Sequence, residues 1–78
     1  MKDLLTYIVS NLIDSKDKLE ISESENEGTI VYSITADKED VGRIIGKGGK
    51  IIKAIRAIIR MAAIKEDQRT FVEVKAFE

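Results

Sequence analysis

The segment Gly46-Lys47-Gly48-Gly49 holds three of the chain's five glycines in four residues, and it stands between two stretches of helical periodicity. A helix cannot run through such a cluster, so the second half of the chain must make a corner there. Before it, Asp37 is placed to cap a short helix with Glu39 and Asp40 in its first turn and Val41, Ile44 and Ile45 behind them, ending at Gly46. After it, Ile51, Ile52, Ile55, Ile58, Ile59 and Ala62 form one stripe of a helix of roughly sixteen residues, while Lys50, Lys53, Arg56 and Arg60 fall on another.

The rest of the chain alternates between two periods. Leu4, Leu5, Ile8, Val9, Leu12 and Ile13 recur at helical spacing and predict a first helix over residues 2–14, with Asp3 near its start. Leu19 and Ile21 alternate with Glu20 and Ser22. Beyond the turn Asn26-Glu27-Gly28, Ile30, Tyr32 and Ile34 alternate with Val31, Ser33 and Thr35, giving a hairpin. Thr70 to Phe77 alternates again and reads as a last strand, with Val72, Val74 and Ala76 opposed to Phe71, Glu73, Lys75 and Phe77. Three amphipathic helices need one sheet face to cover, so the expected fold is a two-layer α+β domain of order α-β-β-α-α-β spanning residues 1–78. Two helices separate the middle strand from the last. If these strands pair they run parallel through a right-handed crossover, and the three-stranded sheet is mixed.

The chain lacks cysteine, histidine, proline and tryptophan. This removes disulfides, thiolate or imidazole metal sites, and any nucleophile that relies on a histidine base. With 44% hydrophobic and 35% charged residues it reads as a folded globule, and no apolar run approaches the ~20 residues of a bilayer span. The acidic Asp3 and the interruption at Ser10 and Asn11 do not suit a secretory leader, so the expected location is the cytoplasm, away from any membrane. The net charge of −1 conceals strong segregation. Residues 1–41 carry four basic and ten acidic side chains, residues 42–65 carry seven basic and none acidic, and residues 66–78 carry two and four. The acid-free block should project a positive field on one surface.

Three glycine-loop signatures compete for that block. A phosphate-binding Walker loop needs a glycine where Val41 stands and a serine or threonine where Gly48 stands. A dinucleotide fingerprint needs a strand before Gly46 and a glycine at Ile51. The pattern Ile-Ile-Gly-x-x-Gly-x-x-Ile-x-x-Ile fits at every position from Ile44 to Ile55. It resembles the signature of the KH domain, an RNA-binding module whose GXXG loop clamps about four nucleotides. With its additional N-terminal helix and hairpin the whole chain resembles the type II variant, and it is similar to bacterial RNA-binding proteins made of one such domain. The match includes Asp40-Val41-Gly42-Arg43 before the loop and Lys53-Ala54-Ile55-Arg56 after it. One departure is Gly48, where that group usually has glutamine, which should make the loop more flexible. The resemblance implies a single-stranded RNA ligand, no cofactor, and self-association or pairing with a second KH-containing protein.

The loop also speaks for itself. Bare backbone at Gly46, Gly48 and Gly49 permits left-handed dihedrals and close approach of phosphate, and the next helix points unpaired amides outward. The same glycines would equally serve a plain corner that ends one helix and begins another. Lysines separate the two possibilities. A cation in a first helical turn opposes the dipole by about 0.3–1 kcal/mol, yet this helix opens with Lys50, Lys53 follows, and Lys47 precedes it. The other two helices begin with Asp3 and with Glu39-Asp40. Local stability yielded where an external anion restores it marks a functional site.

The expected RNA-binding set is therefore Gly46, Lys47, Gly48, Gly49, Lys50 and Lys53, extended by Arg56 and Arg60. Arg43 is either a helix cap or a ligand, and one or two of Val41, Ile44 and Ile45 are a floor for bases, with Ile45 counted in the binding set. Ile52, Ile55, Ile59, Ala62, Ile30, Ile34, Val72 and Val74 are expected in the core. Tyr7, Tyr32, Phe71 and Phe77 are too scattered for an aromatic stacking sheet. Ile58, Met61, Ile64 and Phe77 are candidates for a protein interface. A protein-interaction or dimerisation module, or a single-stranded DNA binder, is the alternative function. No carboxylate pair has the spacing of an enzyme site.

Overall fold

The computed structural model describes residues 1–77. Its elements are α1 (Lys2–Ser10), β1 (Glu20–Asn26), β2 (Thr29–Ala36), α2 (Lys38–Ile45), α3 (Lys50–Ile64) and β3 (Arg69–Ala76), with single 3-10 turns at Lys16–Lys18 and Lys47–Gly49. This is the expected α-β-β-α-α-β order. The three strands lie in the sequence order β1-β2-β3, with β1 antiparallel and β3 parallel to β2, so the sheet is mixed. Glu27 and Gly28 form the two-residue hairpin loop at φ 52° and 84°. Positive φ at both positions is the twist-matched turn that a tight hairpin favours. Phe77 N–H reaches Ala36 O at 2.7 Å and carries the parallel ladder one step past Ala76.

One face of the sheet carries the core. Tyr32, Ile34, Ala36 and Val72 are buried against Leu5 and Val9 of α1, Ile44 of α2 and Ile52, Ile55 and Ile59 of α3, so all three helices lie on that face. Val74 and Ile30 are only partly buried, at the margin of this cluster. Among the described residues no helix is long and apolar enough to cross a membrane.

Three expectations are corrected. The first helix stops at Ser10 rather than residue 14. Asn11 turns its side-chain amide back onto Tyr7 O at 2.7 Å, and the amides of Asp14 and Ser15 are given to the Asp40 carboxylate at 3.3 and 3.0 Å. Ile13 still reaches the core, from the loop. On α3 the buried row is Ile52, Ile55, Ile59 and Ala63 instead of Ala62, while Ile58 is 44% exposed. Steps of three, four and four keep one line facing the sheet, and Ile51 and Ile58 flank it. Asp37 occupies the position before α2 but makes no side-chain cap, and its carboxylate lies 3.7 Å from Lys18 Nζ.

Candidate functional site

The corner between α2 and α3 is built from three glycines with distinct duties. Gly46 closes α2 through its amide to Gly42 O at 2.9 Å, then turns to φ 76°, ψ 169°. That region is essentially reserved for glycine. A Cβ on Gly46 would lie 2.5 Å from Ile51 Cγ1, 2.8 Å from its Cβ and 2.9 Å from its amide nitrogen, so the two helices meet there with no room for a side chain. Gly48 and Gly49 follow in left-handed conformations at φ 66° and 77°. Nothing lies within 4 Å of where a Cβ on Gly48 would stand, so Gly46 serves packing while Gly48 faces open space.

The single 3-10 turn is held by Gly49 N–H to Gly46 O at 3.1 Å and by Lys50 N–H to Lys47 O. Lys47 and Gly48 are the first two residues of that turn, where a 3-10 helix offers its N–H groups no partner inside the turn. They sit at the apex of the corner, where α3 begins without a side-chain cap and without an acid in its first turn. The leading amides of this turn and the positive end of a fifteen-residue helix dipole make an anion-binding cradle. Lys47, Lys50 and Lys53 are exposed around it, with no carboxylate partner among the described residues.

The remaining expected site residues are placed differently. Arg43 is committed: its Nη1 donates to Asp40 Oδ1 at 2.7 Å and Asp14 Oδ2 at 2.8 Å. Asp40 is buried beneath it. The Ser15 amide, then the Asp14 amide and the Arg43 guanidinium, hold the Asp40 carboxyl below its ordinary value against the opposing effect of burial. The same carboxylates push the Arg43 guanidinium up. The cluster pins the α1–β1 connection onto α2 and neutralises Arg43 locally. Arg56, two turns into α3, donates from Nε to Val72 O at 2.9 Å. Ile44 is core, whereas Ile45 is partly open beside the corner. The spacing of Asp40 and Arg43 at i, i+3 is the only sequence sign of this cluster, because Asp14 and Ser15 reach it across the fold.

Residues 2–74 match the family profile described as KhpA/KhpB, KH domain. The chain is 43% identical over 74 residues to the RNA-binding protein KhpA of Clostridium acetobutylicum, covering 95% of this chain and 99% of that protein. It is 40% identical over 74 residues to the RNA-binding protein KhpA of Chlamydia caviae, covering 95% of each. Over the same length it is 36% identical to the protein of that name from Caldanaerobacter subterraneus, covering 95% of this chain and 99% of the relative. No solved structure matches.

Proposed function

We propose, on the premise that this chain belongs to the KhpA/KhpB KH-domain family, that it is a non-catalytic clamp for single-stranded RNA, acting in the cytoplasm as an RNA chaperone or post-transcriptional regulator. One observation carries this: a left-handed glycine turn, with the leading amides of Lys47 and Gly48, opens a helix whose approach and first turn offer lysines and no acid. Phosphates lie against Gly46 to Gly49, Lys47 and Lys50 supply charge, and Lys53 continues the track. Ile45 gives an apolar edge beside the corner. Arg43 acts through Asp40 and Asp14 as a positioning residue rather than through free charge. The names of the relatives support RNA as the ligand. A single clamp makes few contacts, so useful affinity comes through avidity, as a homodimer or in a pair with another KH-containing chain. The exposed Ile58, Met61 and Ile64 offer apolar surface for that pairing.

The test is fluorescence anisotropy with a labelled RNA octanucleotide. Neutralising two to four phosphates gives a log-log salt slope of roughly −1.5 to −3. Replacing Lys47 and Gly48 together by Asp should abolish binding while circular dichroism stays unchanged, because the left-handed region admits Asp and nothing crowds Gly48. Unchanged binding by the folded variant overturns the assignment. A DNA octanucleotide of the same sequence and polyglutamate, as competitors, test the DNA-binding and protein-interaction readings.

A further inference from the structure

Of the seven cations in residues 42–65, only Arg43 stands in an ion pair among the described residues, and it faces two carboxylates. Asp40 lies beneath it, buried and kept ionised, chiefly by the Ser15 amide. Asp14 lies above it, with its side chain 80% exposed. One guanidinium between two carboxylates gives this patch a net charge of −1, one turn before Gly46. An ion pair as open to water as Arg43 and Asp14 adds little to stability. It is the backbone amide of Asp14 that serves Asp40, so the fold itself asks for no acid at position 14.

The two sides of the corner are therefore unlike. At about 100° per residue, α2 sets Arg43 and Ile45 on opposite flanks of its buried pair, Asp40 and Ile44. The Arg43 flank meets the connection leading into β1, through Asp14. On α3, Lys53 and Arg60 share the flank of Arg56, which donates to Val72 O of β3. β1 and β3 are the opposite edges of the sheet. A strand held at Gly46 to Gly49 thus meets free cations toward β3 and net negative charge toward β1. We propose, resting on the RNA-binding role above, that Asp14 directs the strand: its carboxylate cancels Arg43 and repels phosphate from the β1 side of the corner. Arg43 and Gly46 are about 4.5 Å apart along the helix axis, at 1.5 Å per residue. That is well inside the screening length of about 10 Å at 0.1 M salt.

Anisotropy of the labelled RNA octanucleotide over a salt series compares variants of position 14. Asp14→Lys turns the patch from −1 to +1 and opens a second route for phosphate. Its log-log salt slope should steepen by about 0.7, with binding about 5-fold tighter at ~0.1 M salt. Asp14→Asn should tighten binding about 2-fold at ~0.01 M salt, the Coulomb effect of one charge about 10 Å away in water. Asp14→Glu keeps the charge and should match the unsubstituted chain. Glu25→Lys makes the same charge change on the hairpin, at the far end of β2 from α2, and should leave the slope unchanged. Circular dichroism checks each fold, and if Asp14→Lys unfolds, Asp14→Asn decides. Position-14 variants that bind with the affinity and slope of the unsubstituted chain overturn the proposal. A gain from Asp14→Glu, or an equal gain from Glu25→Lys, also overturns it, since shape or overall charge would then be the cause. Flat anisotropy for the unsubstituted chain at low salt removes the RNA-binding role itself.

Discussion

Replacing Gly46 by alanine separates the architectural glycine of the corner from the exposed one. The backbone at φ 76°, ψ 169° lies in territory that a Cβ disfavours by about 1–3 kcal/mol. The new methyl would also stand 2.8 Å from Ile51 Cβ and 2.9 Å from the Ile51 amide nitrogen, atoms fixed by the first turn of α3. A rotamer change at Ile51 relieves only the contact to Cγ1, so an overpacking penalty of about 1–3 kcal/mol remains. Together these remove roughly 2–6 kcal/mol from a domain whose whole stability is about 5–15 kcal/mol. At about 4–8 °C per kcal/mol for a chain of this size, Gly46→Ala should melt at least ~8 °C below the unsubstituted protein. Gly48→Ala meets no atom within 4 Å and carries only the left-handed penalty of about 1–2 kcal/mol. Urea and thermal unfolding followed by circular dichroism compare the two. Equal midpoints for Gly46→Ala and Gly48→Ala would refute the division of labour between these glycines.

The other expectations concern the helices and the buried carboxylate. Ile59→Ala should destabilise by about 2–5 kcal/mol in urea unfolding, whereas Ile58→Ala, on the exposed flank of α3, should stay within about 0.5 kcal/mol. Lys50→Glu places an acid at the start of α3 and should raise stability by about 0.3–1 kcal/mol while weakening RNA binding; thermal melts and anisotropy read the opposed changes. Asp40 has a folded pKa lowered from 3.8. Its contribution is present in full above that unfolded value and is lost as pH falls through the lower folded one. Acid melts below pH 4 should therefore be steeper for the unsubstituted chain than for Asp40→Asn, and parallel curves would count against the Asp40 cluster.

What the sequence discloses depends on how local its cause is. The hairpin turn, the parallel pairing of β2 with β3 and the break at Gly46 follow from neighbouring residues and from chain connectivity. The end of α1 does not, because Leu12 and Ile13 continue the apolar period while Asp40, twenty-six residues from Asp14, draws the amides away. Choosing Ala63 over Ala62, or burying Ile59 and exposing Ile58, requires the angle at which α3 meets the sheet. The three corner glycines look alike until the atoms opposite each one are known: Ile51 for Gly46 and open space for Gly48. Lys47, Lys50 and Lys53 were legible as a set from the absence of acids. The commitment of Arg43 to two carboxylates, and of Arg56 to Val72 O and Phe71, came only with the fold.

The most direct measurement is a proton–nitrogen correlation spectrum of the isotopically labelled protein titrated with an RNA octanucleotide. Phosphate seated in the corner should give the Lys47 and Gly48 amides the largest downfield proton shifts, with smaller changes along Lys50 and Lys53. If those two amides stay still while signals elsewhere on the surface move with bound RNA, the corner is not where this protein holds the strand.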